Sequence, residues 1–105
     1  MDVVRYQTMG AVATITLDDH ANRNALGSAM VAELGEGITR ANADSDVRVI
    51  VLAHTGNVFC AGANLKERPA TADEQHAWSR SFGALLSQVM HSPKPVVARI
   101  DGPAL

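Results

Sequence analysis

The sequence has little of what marks several common classes of protein. It contains one cysteine, Cys60, in 105 residues, which excludes an internal disulfide framework and fits a reducing compartment. No run of residues approaches the roughly 20 apolar positions of a bilayer-spanning helix, and the N-terminus lacks the apolar core of a signal peptide. We therefore expect a cytoplasmic location and no membrane partner.

The chain also lacks a large excess of positive or negative charge. The formal net charge is −2, and there is no cluster of Lys and Arg of the kind that follows a phosphate backbone. Nucleic acid is therefore not an expected partner. Four histidines show no metal-ligand spacing, so we expect no metal site and predict that they lie at the surface or in loops: His20, His54, His76 and His91.

Hydrophobic residues make up 47% of the chain and charged residues 19%, which is typical of one globular domain with one core. The first elements follow from alternation of apolar and polar residues. Val3 to Thr8 and Ala11 to Leu17 alternate around Met9-Gly10 and predict a β-hairpin. Residues 18–24 then form a polar loop rich in side chains that favour turns.

Helical spacing follows the loop. Met30, Val31, Leu34 and Ile38 recur on one helical face, with Ser28 as the predicted N-cap and a stop near Asn42 to Ser45. Gly35 and Gly37 lie inside this helix and each weakens it by roughly 1 kcal/mol relative to alanine. We therefore expect another element to pack closely against these glycines.

The remaining elements complete an α/β pattern. Val47 to Ala53 and Pro95 to Ile100 are rich in β-branched residues and predict parallel strands buried on both faces. Between them, Thr71 and Glu74 match a capping box. A predicted core stripe follows at helical spacing: Trp78, Phe82, Leu85, Leu86 and Val89. The order β-β-α-β-α-β indicates right-handed helical crossovers on a parallel sheet.

Two strand ends carry signals of a ligand site. Ligands of open α/β sheets bind beyond the carboxyl ends of the strands, and Ala61-Gly62-Ala63 follows the third strand. Gly62 frees the backbone to turn, and its small neighbours leave N–H groups open to an oxyanion. The last strand runs into Gly102-Pro103, after which the sequence looks interrupted. Without its surroundings, Ala61-Gly62-Ala63 would be an ordinary strand-to-helix turn.

Four segments together resemble the enoyl-CoA hydratase/isomerase, or crotonase, superfamily. "FCAGANLKE" is similar to that family's Phe-x-Ala-Gly-Ala-Asp-Leu-Lys-Glu signature, with asparagine at Asn64 in place of the usual aspartate. The family order is completed by "ATITLDDHANRNAL", "VRVIVLAHTGNVF" and "SPKPVVARIDGPAL". The resemblance implies a crotonase-like ββα spiral of which residues 1–105 are an N-terminal, truncated part.

The resemblance implies one half of an oxyanion hole. In the family, the backbone N–H of the alanine after the glycine binds the thioester carbonyl, and here that residue is Ala63. Such donors stabilise the negative charge of the enolate as it develops. Asn64 keeps the size and an acceptor oxygen of aspartate but not its charge. The second donor and the catalytic glutamates of the family fall beyond Leu105.

The resemblance also implies binding of coenzyme A as a thioester substrate, with no prosthetic group. The backbone of Ala21-Asn22-Arg23 matches the family loop along the CoA moiety. Ala61, Gly62, Asn64 and Leu65 match positions beside the pantetheine and acyl chain. Arg23 and Lys66 are cations that could pair with CoA phosphates, although solvated surface charges are the alternative. Trp78 or Phe82 could border the acyl pocket.

We predict an enoyl-CoA hydratase family chain that is inactive alone, because no carboxylate matches a family catalytic position. Whether the chain is itself an enzyme stays open. The alternatives are a noncatalytic module that binds acyl-CoA or a longer paralogue, and another enolate reaction such as double-bond isomerisation. The family implies a trimer or a dimer of trimers. Cys60 beside His54 shows no nucleophile signature and is predicted to be a buried small residue.

Overall fold

A computed structural model describes residues 1–62 and 71–104 and has the predicted order of strands and helices. The strands are β1 (Val4–Met9), β2 (Val12–Leu17), β3 (Val49–His54) and β4 (Val96–Ala98). The helices are α1 (Ser28–Ala43) and α2 (Ala72–Met90), and a short 3-10 turn, His20–Asn22, precedes α1. The predicted strand bounds differ from these by at most two residues. β4 is the most shortened strand, with three residues where Pro95 to Ile100 was predicted.

The four strands form one sheet in the order β1-β2-β3-β4. β1 and β2 are the predicted antiparallel hairpin, and β2, β3 and β4 are parallel. Ala13 lies opposite Ile50, which in turn lies opposite Val96. Because the three parallel strands run in the same direction, their carboxyl ends meet at one edge of the sheet.

The core lies between the sheet and α1. Ile15 and Ile50 are fully buried on the sheet, and Met30 and Ile38 face them from the helix at 1% exposure. The helix lies close enough that a Cβ at Gly37 would be 3.1 Å from the Ile15 side chain. The predicted close approach at the helical glycines is confirmed.

The prediction that both sheet faces are buried is wrong for the residues described. α1 packs on β1 and β2, and α2 packs chiefly against α1 rather than on the opposite face of the sheet. On that opposite face Thr14 and Val51 are half-buried and Val97 is 51% exposed. The apolar composition of β3 and β4 was read correctly, but it does not reveal which face has a covering layer.

The second helix begins as predicted but buries less of its stripe. The hydroxyl of Thr71 accepts the N–H of Glu74 at 3.1 Å. Leu85 is buried, with Phe82 and Val89 packed on the core. Leu86 is 50% exposed, so its assignment to the core was wrong. Because α2 has one main packing partner, only one narrow stripe is covered.

The two ends of α1 are held in different ways, the first by its neighbour and the second by a distant residue. The N-cap is Gly27 rather than Ser28, which is already helical. At the other end, Lys94 Nζ donates to the carbonyl oxygens of Ala41 and Asp44 at 2.7 and 2.6 Å. A cation at this position stabilises the helix terminus and fixes the residues that lead into β4. Neither helix in the described ranges combines the length and hydropathy of a bilayer span.

Candidate functional site

Three segments meet at the carboxyl edge of the sheet. They are the Asn24 loop (residues 18–26), the Gly62 loop (residues 55–62) and the C-terminal segment (residues 101–104), which follow β2, β3 and β4 respectively. This is the edge at which open α/β sheets bind ligands. The contacts between the three segments are mostly backbone hydrogen bonds, so their geometry depends more on main-chain shape than on side-chain identity.

The Gly62 loop is fixed by the Asn24 loop. Gly62 has φ 91°, a conformation that other residues rarely adopt. Its carbonyl oxygen accepts the N–H of Leu26 at 2.6 Å, and the N–H of Ala61 donates to the Arg23 carbonyl at 3.1 Å. The turn at Gly62 is therefore confirmed, but the N–H of Ala61 is not open as expected, because the Arg23 carbonyl occupies it.

The C-terminal segment fixes the other side of the Gly62 loop. Phe59 N–H donates to the Pro103 carbonyl at 2.9 Å, and Cys60 and Ala104 form a parallel bridge. Gly102 lies so close that a Cβ there would overlap the Asn57 carbonyl oxygen. The two strand ends singled out from the sequence are therefore neighbours in space.

Asn24 is a site residue that the sequence analysis did not single out. Its side chain is 1% exposed. Its Oδ1 accepts the N–H of Asp19 at 2.8 Å, while Nδ2 donates to the carbonyls of Val58 and Thr55 at 2.9 and 3.3 Å. The Asn24 side chain therefore connects the start of its own loop, at Asp19, to the Gly62 loop, at Thr55 and Val58. The only sequence signal was an asparagine in a turn-rich stretch, which Asn22 shares.

The residues predicted to follow CoA lie together on the outer side of the Asn24 loop. Ala21 and Asn22 belong to the 3-10 turn, where the Asn22 amide donates to both oxygens of Asp19 at 3.0 and 3.2 Å. Arg23 has φ 53° and an exposed side chain. It lines a cavity of about 220 Å³ with Asn24 and other loop residues. A cation therefore lies beside an open cavity.

Four predicted site residues, Ala63, Asn64, Leu65 and Lys66, lie outside the described residues. Cys60 is 8% exposed, as predicted for a buried small residue, and its Sγ accepts the N–H of Gly62 at 3.4 Å. His54 was predicted at the surface or in a loop, but it is the last residue of β3 and is half-buried. That prediction is wrong because the strand continues one residue further than its apolar run.

Among the described groups, Asp18 is the one whose pKa departs clearly from its ordinary value. The Thr55 hydroxyl donates to its Oδ1 at 2.8 Å, and Arg5 Nε lies 2.5 Å from Oδ2. The hydrogen bond from Thr55, followed by that from Arg5, holds the pKa of Asp18 below its ordinary value of 3.8. Both interactions favour the charged carboxylate. Asp18 therefore links the Asn24 loop to the Gly62 loop as an anion.

This shift predicts how stability depends on pH. Because the folded-state pKa of Asp18 is depressed, its stabilising contribution is present above pH 3.8 and is lost as the pH falls through the folded-state pKa. We expect Asp18→Asn to have a lower urea midpoint than the wild type at about pH 7, and we expect this difference to shrink as the pH falls below 3.8. A midpoint difference that persists unchanged at the lower pH would contradict this assignment.

The chain is an α/β protein of the crotonase fold, because its mixed sheet and helices superpose on solved enoyl-CoA hydratase structures. The chain belongs to the enoyl-CoA hydratase/isomerase family, whose sequence model matches residues 7–105, and corresponds to its N-terminal portion.

Individual relatives agree with this membership. The mouse mitochondrial enoyl-CoA hydratase domain-containing protein 2 is 40% identical over 85 residues, which are 79% of this chain and 29% of the relative. The structure of an enoyl-CoA hydratase from Mycobacterium avium is 40% identical with a TM-score of 0.86, over 97% of this chain and 40% of that one. The structure of the Bacillus anthracis enoyl-CoA hydratase is 31% identical with a TM-score of 0.88, over 96% of this chain and 40% of that one. The chain thus spans less than half the length of these relatives.

Proposed function

We propose that these residues form the CoA-binding loops and one oxyanion donor of a site that adds water to the 2,3 double bond of an enoyl-CoA thioester. The observation that carries the proposal is the Gly62 loop, which is held on one side by Arg23 and Leu26 and on the other by Pro103. Donors fixed before the substrate arrives need no reorganisation when negative charge develops on the thioester oxygen.

The occupied N–H groups of this loop support Ala63 as the donor. Phe59 and Cys60 both donate to the Pro103 carbonyl, Ala61 donates to the Arg23 carbonyl, and Gly62 donates to the sulfur of Cys60. These four groups are therefore engaged within the protein. The family motif assigns the oxyanion role to the next residue, Ala63, and none of these four groups competes with that assignment.

Binding of CoA is proposed along the Asn24 loop. The backbone of Ala21, Asn22 and Arg23 would follow the CoA moiety, and the guanidinium of Arg23 would meet a phosphate beside the cavity of about 220 Å³. The positions proposed to contact the pantetheine and the acyl chain are Ala61, Gly62, Asn64, Leu65 and Lys66. Trp78 lines a largely apolar groove between α1 and α2 and is proposed to border the acyl chain.

Hydration also needs a base to activate water and an acid to protonate the α-carbon. The described carboxylates near the site are already committed: Asp18 to Thr55 and Arg5, Asp19 to Asn22, and Asp101 to Arg99 at 3.3 Å. The lowered pKa of Asp18 also makes it a weak base. We therefore propose that the 105-residue chain binds an enoyl-CoA thioester but does not hydrate it alone.

The test is binding of crotonyl-CoA to the 105-residue chain by isothermal titration calorimetry, together with a turnover assay that follows the ultraviolet absorbance of the enoyl thioester. We expect saturable binding without turnover. Arg23→Ala should weaken binding about tenfold through the loss of one phosphate contact. The matched control is Arg48→Ala, which removes another exposed arginine, just before β3 at the opposite edge of the sheet. Equal effects of the two substitutions would remove Arg23 from the proposal, and turnover would refute the inactivity.

A noncatalytic module that associates with a longer paralogue is the second candidate. It is favoured by the uncovered apolar side chains at the β4 end of the sheet, where Val97 and Ile100 are each 51% exposed. Co-purification with such a paralogue, without binding of crotonyl-CoA, would favour this candidate over the first. Isomerisation or another enolate reaction is a third possibility within the family. A cytoplasmic location and a homotrimer or hexamer are proposed from the sequence and the family resemblance.

A further inference from the structure

His54 connects two of the three segments at the proposed site. Its Nε2 accepts the backbone N–H of Asp101 at 2.9 Å. Since a nitrogen that accepts a hydrogen bond carries no proton, the imidazole is neutral and its proton is on Nδ1. The contact lies at the start of the C-terminal segment, whose Pro103 carbonyl accepts from Phe59.

The same imidazole also contacts the Gly62 loop. Its ring packs edge-on against the ring of Phe59, with centroids 5.4 Å apart and planes at 86°. Phe59 is therefore held through its side chain by His54 and through its N–H by Pro103. His54 therefore contacts Phe59 in the Gly62 loop and Asp101 in the C-terminal segment, the two segments that the backbone pairing joins.

The environment of the other ring nitrogen indicates that His54 has a role beyond packing. His54 Nδ1 is shielded from solvent and has no hydrogen-bond partner among residues 1–62 and 71–104. A buried donor without a partner is destabilising. An apolar side chain of similar size would avoid that cost, but it could not accept the N–H of Asp101.

We propose that His54 is a positioning residue that sets the register between the C-terminal segment and the Gly62 loop. It acts as a hydrogen-bond acceptor at Nε2, in the neutral form protonated at Nδ1. The consequence for ligand binding rests on the function proposed above, because the same register holds Phe59 and Cys60 in the loop that leads to Ala63. The register itself does not depend on that function.

Two substitutions distinguish the hydrogen bond that His54 accepts from Asp101 from the packing of its side chain. In His54→Gln, the side-chain oxygen can reach the position of Nε2 and accept from Asp101. In His54→Met, a side chain of similar length has no comparable acceptor. Amide hydrogen exchange at Asp101 and Phe59 reports the register directly. The Arg99 amide, which donates to Leu52 at 2.8 Å in the strand pairing, is the internal control.

We expect His54→Met to speed exchange at Asp101 and Phe59 by about tenfold relative to Arg99, and His54→Gln to restore most of the protection. Unchanged protection of Phe59 in the methionine variant, or equal loss in both variants, would overturn the proposal. If the methionine variant does not fold, the imidazole ¹⁵N chemical shifts of the wild type decide. A proton on Nε2 would refute the proposal, and a proton on Nδ1 alone would support it.

Crotonyl-CoA titration distinguishes this proposal from the proposed function. We expect about fivefold weaker binding by His54→Met and near wild-type binding by His54→Gln. If the wild type binds no crotonyl-CoA, the proposed function fails, while the exchange data still decide the role of His54. If the methionine variant loses the register but binds normally, the link from register to ligand binding is refuted.

Discussion

Replacing Asn24 by alanine should lower the free energy of unfolding by about 4 to 5 kcal/mol. The substitution removes three buried hydrogen bonds, each worth roughly 1 kcal/mol net. It also places a residue with no local hydrogen bond in the left-handed region, since Asn24 has φ 56°, which costs a further 1 to 2 kcal/mol. Domains of this kind are stable by about 5 to 15 kcal/mol, so this loss is a large share. Urea denaturation measures it.

Two matched variants make the Asn24 prediction specific. Asn22→Ala removes the neighbouring amide, which is half-buried and bonds only to Asp19 in the described residues, and should cost about 1 kcal/mol. Asn24→Gly removes the same side chain without the left-handed penalty and should be less destabilising than alanine by about 1 kcal/mol. An Asn24→Ala variant no less stable than Asn22→Ala would show that the buried amide does not hold the two loops together.

The order of strands and helices was predictable because it depends on local periodicity. The alternation in residues 3–17 and the apolar positions of α1 identify elements whose partners are close in sequence or fixed by topology. Sheet coverage was not predictable in this way. Val97 lies in an apolar strand, yet it is 51% exposed because α1 and α2 stack on each other and not on opposite faces.

The same distinction between local signals and long-range contacts applies to the candidate site. Gly62 was predictable because a glycine between a strand and a polar stretch is a local signal, and its φ of 91° agrees. Asn24 and His54 were not. Asn24 binds carbonyls 31 and 34 residues away, and His54 accepts an N–H 47 residues away. Nothing in the neighbouring sequence distinguishes them from Asn22 or His20, because their roles arise only when the three strand ends meet.

These long-range contacts have one effect in common, because each holds a backbone group in place at the carboxyl edge of the sheet. Asn24 fixes the carbonyls of Thr55 and Val58, His54 fixes the N–H of Asp101, and Gly102 brings two backbones together. A site that presents backbone N–H groups needs this kind of support, because main-chain donors can be positioned only by the chain on either side of them. The side chains at the edge therefore act mainly by shaping backbone.

Gly102→Ala is the second substitution for which we expect a large effect. A Cβ at residue 102 would overlap the Asn57 carbonyl oxygen and lie 2.9 Å from its carbonyl carbon. Both are backbone atoms, so no side-chain rotation relieves the overlap and the C-terminal segment must move. We expect a loss of about 2 to 3 kcal/mol in the free energy of unfolding, faster amide exchange at Phe59, and loss of crotonyl-CoA binding if the proposed function is correct.

Gly83→Ala is the matched control for Gly102→Ala. Gly83 lies within α2, and a Cβ there would meet nothing within 4 Å. Alanine should therefore stabilise the helix by about 1 kcal/mol without changing exchange at Phe59. The two substitutions add the same methyl group and differ in the sign of their expected effect. If Gly102→Ala were as stable as the wild type and kept the Phe59 amide protected, the close approach of residues 57 and 102 would not be what aligns the Gly62 loop with the C-terminal segment.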